Sequence, residues 1–416
     1  MVPHRSTVQG IPGPLQDRRR RLISTPYKHH LNISMDYYCS AKFTDLQVHV
    51  QSRLLYNCCK AYPERVDLDW LEANPGRLFH TDTMLEDRKL MLDNKSCASC
   101  HHGCYKYEEQ GLQSHRQTNK QKKQILDPNA PLKSLQIILS TDCNLACVYC
   151  SPEWSTAWYK DISNNGEYKL DGLTIGNDQW STLYSKLKQK NRSTETRFFK
   201  LLLNEIDIAK DLVDLTILGG EPLLHNQLQK IVETVNDKKI NIVTGLGVSD
   251  NRLQSILKAM SGKKIKFLVS AEATGKYFEF IRHGLQWNDF KRRVEMITEQ
   301  GYEVKFISTL SNLSFFDIHN FYTVYNDRFE IIPNFLTSRD FMLPHVMDEQ
   351  SKDLCRENLK PLNGVLSNAI EKKPSEFDRK NLANYLKQIS KKRGVDLGFL
   401  PKHFLEWCGI DKIVSL

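Results

Sequence analysis

Three cysteines, Cys143, Cys147 and Cys150, follow directly on the apolar run Ser134–Leu139. The run has the length of a strand, and the cysteines occupy the segment where that strand would pass into a loop. In α/β sheets, loops at the carboxyl ends of strands carry the chemistry. The pattern continues from Leu132 onward. Strand-length runs at Asp214–Leu218, Lys239–Val243, Lys264–Ser270, Glu303–Thr309 and Phe329–Ile332 alternate with helical stretches such as Gln227–Val235 and Asp289–Gln300. Such alternation predicts a parallel α/β sheet. About six units suit a partial barrel better than a closed eight-unit one.

The chain holds 11 cysteines in 416 residues, and they are clustered. Cys39, Cys58, Cys59, Cys97, Cys100 and Cys104 all precede the first barrel strand. No apolar leader precedes them, so a reducing cytoplasmic setting is expected and disulfides explain little. Short spacings in that setting point to metal. The three cysteines at C-x-x-x-C-x-x-C spacing can hold one corner of an iron–sulfur cubane and leave one iron open. Structural zinc is the competing reading, but zinc prefers four ligands, commonly as two pairs.

The alternating stretch Leu46–Val50 reads as a strand, with Arg53–Tyr56 as its partner, Thr81–Met91 as a helix and Cys97–Cys104 as a tight loop. Residues 117–131 carry breaker signals, including Asp127-Pro128 and Pro131, and read as a linker. The net charge of +9 is partly concentrated in Arg18, Arg19, Arg20 and Arg21, within a tail over 1–34 expected to be disordered. No apolar run reaches the ~18 residues of a membrane helix. Residues after about 345 are Lys-rich and helical in pattern.

The segment Cys143-Asn-Leu-Ala-Cys147-Val-Tyr149-Cys150 resembles the signature of the radical S-adenosylmethionine (SAM) superfamily. Further segments follow in the family's order. They are Gly219-Gly220-Glu221-Pro222, the strand ending Ser270-Ala-Glu272, and Phe278-Glu-Phe-Ile-Arg282. The resemblance implies a partial (β/α)6 radical SAM barrel over 132–340. Cys143, Cys147 and Cys150 would ligate a catalytic [4Fe–4S] cluster whose open iron binds SAM. Tyr149 would pack near adenine, Gly219, Gly220 and Glu221 would meet the methionine amino group, and Ser270 or Glu272 would reach the ribose or carboxylate. Arg282 would pair with the SAM carboxylate, a task suited to a guanidinium fork. The Thr-Asn-Gly that often ends the intervening strand is replaced here by Thr244-Gly245-Leu246.

The N-terminal cysteines resemble the twitch or SPASM modules of the same superfamily, placed ahead of the barrel instead of behind it. The run Glu108-Glu-Gln-Gly111-Leu-Gln-Ser114-His-Arg116 strengthens that likeness. The resemblance implies a small cysteine-rich α+β module over 35–131, with Cys39, Cys58, Cys97 and Cys100 holding an auxiliary iron–sulfur cluster or zinc. Cys59 or Cys104 could replace one of them. Cys97-Ala-Ser-Cys100-His101 also matches a c-type haem attachment motif, which would require export. A helical extension over 341–416 completes the expected architecture. The implied activity is hydrogen-atom abstraction by a 5′-deoxyadenosyl radical from a peptide or protein side chain, with electrons from a reductase such as flavodoxin or ferredoxin. Modification of RNA, a nucleotide or a sugar is the second reading, weakly permitted by the basic balance, and a zinc-stabilised binding protein is the third.

Overall fold

A two-residue alternation of buried and half-buried positions, repeated on strand after strand, sets the architecture. The computed structural model describes residues 37–58, 60–109, 114–119, 125–176, 192–235, 238–336, 339–359 and 369–410. The tail over 1–34, Cys59 and Gly111 lie outside them. The strands are β1 (Asp45–His49), β2 (Leu54–Tyr56), β3 (Glu64–Arg65), β4 (Ser134–Ile138), β5 (Tyr168–Leu170), β6 (Leu173–Ile175), β7 (Asp214–Leu218), β8 (Lys239–Thr244), β9 (Ile265–Ser270), β10 (Glu303–Leu310) and β11 (Glu330–Phe335).

Among the described residues, nine strands form one sheet in the order β11-β10-β9-β8-β7-β4-β1-β2-β3. The six expected barrel strands are there, each parallel to its neighbour. One face buries Leu135, Ile137, Leu215, Ile217, Ile240 and Ile242. Helices supply the other half of that core. In α1 (Arg192–Ile208) the residues Phe198, Leu202 and Ile206 recur at helical spacing and are buried. The opposite face of the sheet carries half-buried polar residues, among them Gln136, Thr216 and Asn241.

The N-terminal segment is joined to this sheet. β1 runs parallel to β4, with Leu46 opposite Leu135 and His49 opposite Ile138. β2 then turns back antiparallel to β1. The expected loop at Cys97–Cys104 is instead a pair of short helical turns, Ala98–Cys100 and His101–Tyr105. The Glu108–Arg116 run closes this segment from behind. Arg116 donates Nη2 and Nε to the Glu108 carboxylate and Nη1 to the carbonyl of Tyr38. Ser114 Oγ donates to the same carboxylate. Beyond β11 the chain is helical, as expected. The helix α2 (Glu376–Arg393) starts at Ser375, whose hydroxyl caps Asp378 N, and buries Leu382, Tyr385, Leu386 and Ile389.

The Arg116–Glu108 pair is buried on both sides, at 2% exposure each. Removing one partner strands the other charge, which costs about 3–5 kcal/mol. Arg116→Met should therefore lower the denaturation midpoint strongly. Lys239→Met, which breaks a half-exposed pair with Glu303, should change stability by no more than about 1 kcal/mol.

Candidate active site

The cysteine loop leaves β4 at its carboxyl end and is fastened to the next strand by backbone hydrogen bonds. Gly220 N donates to Ser140 O at 2.8 Å, and Glu221 N to Asp142 O at 2.7 Å. This close approach explains the double glycine. A Cβ on Gly219 would lie 2.7 Å from Ser140 O, and one on Gly220 would lie 2.4 Å from Asp142 O. Gly219 also has a positive φ of 152°. The far side of the loop is tied to the segment after the helix Gly275–Ile281. Ala146 N donates to His283 O and Val148 N to Ile281 O.

The thiols of Cys143, Cys147 and Cys150 are neighbours: Cys147 and Cys150 raise the pKa of Cys143, and Cys150 raises that of Cys147. Burial is the larger cause and holds all three above the ordinary thiol range, Cys147 at about 12. The charge of Arg282 works against it at Cys147 and Cys150. Leu145 N donates to Cys143 Sγ at 3.4 Å. Thr141 Oγ1, two residues before Cys143, is buried with no hydrogen-bond partner among the described residues.

Beside Cys147 lies a buried polar group. Arg282 grips Glu272 through Nε (3.0 Å) and Nη2 (2.6 Å), and its Nη1 is 3.9 Å from Cys147 Sγ. Tyr149 donates its hydroxyl to the same carboxylate at 3.2 Å. Burial pulls the pKa of Arg282 down, but Glu272, Tyr149 and the Cys147 thiol outweigh it and leave it raised. The fork that the resemblance assigns to the SAM carboxylate is thus bonded to Glu272 in this structure. Once Glu272 occupies that position fully buried, the guanidinium is its charge partner.

The Glu221 carboxylate is likewise bonded within the protein in this structure. It is buried and accepts from Thr244 Oγ1 (2.7 Å), Leu223 N, Gly245 N and Gly247 N. Thr244, which carried no role in the sequence, thereby locks the end of β8 to the end of β7. Ser270 ends β9 on the half-buried face of the sheet.

The second thiol group is separate. Cys39, Cys58, Cys97 and Cys100 are all buried, as is Cys104. Cys39 senses Cys58 and Cys104, Cys104 senses Cys58, and Cys100 senses Cys97 and Cys39. A hydrogen bond from Cys100 draws Cys97 down to about 6. Lys42 Nζ, fully buried, bonds Asn57 Oδ1 (2.6 Å), Asp87 Oδ2 (2.7 Å) and Ser99 Oγ (2.5 Å) next to these thiols. Lys42 was not legible as a site residue. Its helix Ala41–Thr44 is too short to show periodicity, and its partners come from three other segments. Among the described residues, no three His, Cys, Asp or Glu side chains close up around a single-ion position.

His49 is a further residue that sequence reasoning missed. Its ring lies 4.7 Å from Tyr56 and 5.8 Å from Trp154, four residues beyond Cys150. Burial lowers its pKa to about 4, so the imidazole is neutral at pH 7. The polar alternation Gln47, His49 within the predicted strand was the available signal. Of the aromatic run after the loop, Trp158 is core, while Trp154 and Tyr159 are exposed.

Residues 137–322 match the family model described as the radical SAM superfamily. No curated protein matches the chain. Among solved structures, the chain is similar to native anSMEcpe with bound AdoMet, at 20% identity over 49% of this chain and 51% of that one, with a TM-score of 0.31. The chain thus spans about half the length of that protein. It is also similar to SuiB from Streptococcus suis bound to S-adenosylmethionine, at 14% identity over 80% of this chain and 75% of that one, with a TM-score of 0.30. SuiB bound to precursor peptide SuiA aligns at 14% identity over 86% of this chain and 70% of that one, with a TM-score of 0.29.

Gly220→Ala would force apart two backbones that exchange hydrogen bonds. It should cost about 1–3 kcal/mol, the range for an overpacked interior. Chemical denaturation of the purified protein measures this cost.

Proposed function

This chain carries a radical SAM domain over residues 137–322, and on that premise we propose that it is an enzyme that cleaves SAM reductively and takes a hydrogen atom from a peptide or protein side chain. Cys143, Cys147 and Cys150 hold the catalytic cluster. A [4Fe–4S] cluster held there and reduced by an external one-electron donor would supply the electron that breaks the C5′–S bond of SAM, giving methionine and a 5′-deoxyadenosyl radical. The convergence of three mutually interacting thiols with a buried Arg282–Glu272–Tyr149 group supports this reading most strongly.

The residues present fit the cofactors. The loop offers three soft sulfur donors and no fourth, which suits a cluster with one open iron. The nearby guanidinium eases loss of the thiol protons on metal binding. Thr141 Oγ1 is a buried hydroxyl that a bound polar ligand would satisfy. Arg282 and Glu272 together present a nearly neutral polar wall, so a zwitterionic ligand would meet no net opposing charge there. Tyr149, held by Glu272, contributes an aromatic ring against which a base can lie.

The N-terminal thiols hold an auxiliary iron–sulfur cluster in this reading. Cys39, Cys58, Cys97 and Cys100 remain its ligand set, and the adjacency of Cys104 to Cys39 and Cys58 makes it a fifth candidate. The substrate class follows the resemblance of that module to those of peptide-modifying members.

The variant with Cys143, Cys147 and Cys150 all changed to Ala should lose one cluster's iron and sulfide, and all dithionite-dependent formation of 5′-deoxyadenosine. Any remaining 5′-deoxyadenosine would refute the assignment. Changing Cys97 and Cys100 to Ala should lower iron content while sparing part of the SAM cleavage. Unchanged iron in that variant would remove the auxiliary cluster from the reading.

A further inference from the structure

The backbone carbonyls of the cysteine loop are satisfied from outside by side chains. Ser155 Oγ donates to Leu145 O at 2.6 Å, Thr156 Oγ1 to Cys143 O at 3.0 Å, and Trp158 Nε1 to Cys147 O at 2.8 Å. These three come from the segment just after the loop. The remaining donors come from far along the chain, beyond the residues that match the family model. Arg393 Nη1 donates to Ala146 O at 2.9 Å. Arg339 donates Nη1 to Val148 O at 2.6 Å and Nη2 to Cys150 O. Tyr385 donates its hydroxyl to Val148 O and accepts from Arg339 Nη1 at 2.8 Å.

The two arginines differ in charge balance. Arg393 is paired with Asp161 at 3.0 Å, buried on both sides. Among the described residues, no carboxylate lies within ion-pair distance of Arg339, and its cation faces the rings of Trp158 and Tyr385 at 5.3 and 5.6 Å. Arg339 also holds a left-handed backbone, with φ 61° and ψ 72°. For a residue with a Cβ that conformation is strained and persists where its surroundings enforce it. Two strong charge-assisted bonds and the Tyr385 hydroxyl are such surroundings.

A cluster gains negative charge on reduction, so an uncompensated cation beside it favours the reduced state. From this geometry we infer that Arg339 is a positioning residue. It clamps the Val148–Cys150 turn with Tyr385, and its charge raises the reduction potential of the cluster held by Cys143, Cys147 and Cys150. The inference rests on the assignment of that cluster. It makes the chain beyond β11 part of the redox machinery.

The test is a redox titration of the full chain, anaerobically reconstituted, following the electron paramagnetic resonance signal that SAM perturbs. Arg339→Gln keeps a donor and loses the charge. It should retain the iron of this cluster and lower the reduced-to-oxidised ratio at a fixed potential about tenfold, a shift of about 59 mV to more negative values. Arg339→Lys keeps the charge and loses the fork, so its potential should stay near that of the parent. Tyr385→Phe removes the seat of Arg339 without changing charge and should shift the potential in the same direction as Arg339→Gln, by less. Equal potentials in the parent and Arg339→Gln would overturn the inference. Equal shifts in the Gln and Lys variants would also overturn it, by showing that charge is not the cause. A parent protein that takes up no SAM-sensitive cluster would instead overturn the cluster assignment itself.

Discussion

The cysteine loop is buried from Leu145 to Val148 and half-buried at Cys143, Tyr149 and Cys150, and its buried carbonyls need donors that bulk water cannot supply. A buried carbonyl without one costs about 1–3 kcal/mol. The structure meets that demand from three directions. The strand ends supply Gly220 N and Glu221 N to the entry of the loop. The segment Ser155–Trp158 supplies its side chains to the middle. The chain beyond β11 supplies Arg393 to Ala146 and Arg339 and Tyr385 to the exit. With its carbonyls turned toward these donors, the loop points Leu145 N at the Cys143 thiol. Much of the remaining architecture serves this arrangement, including the capping of the first helix after the loop by Ser155 and the docking of α2 on β5 through Asn381 and Gln388.

The sheet carries a second consequence. Because β1 pairs in register with β4, the cysteine-rich segment and the barrel share one hydrogen-bonded ladder. The turn after β1 therefore lies beside the cysteine loop, and His49 meets Trp154 there. Cys39, Cys97 and Cys100 lie among Tyr38, Phe43, Met91 and Tyr105, in an apolar cluster separate from the main core.

Both sites contain a buried cation. Arg282 beside Cys147 is balanced by Glu272, and Lys42 beside Cys97 and Cys100 is balanced by Asp87. Buried charges survive only when paired or hydrogen-bonded. The recurrence of a paired cation next to thiols has a common physical purpose, since a nearby positive charge favours thiolate over thiol.

The strand–helix alternation, the six barrel strands and the placement of the first cysteine triplet were legible in the sequence, because side-chain periodicity and strand-end position are local properties. The spacing of Cys143, Cys147 and Cys150 and the double glycine were equally plain. Other features were decided only by the tertiary structure. The glycines proved to be required by the approach of Ser140 and Asp142, Glu221 by the β8 turn, and Glu272 by Arg282. Lys42 found Asp87, and Arg339 reached back across 189 positions to Cys150. A sequence displays which residues recur along one element. The partners that satisfy a buried carbonyl or balance a buried charge come from segments with no periodic relation, and only the folded chain brings them together.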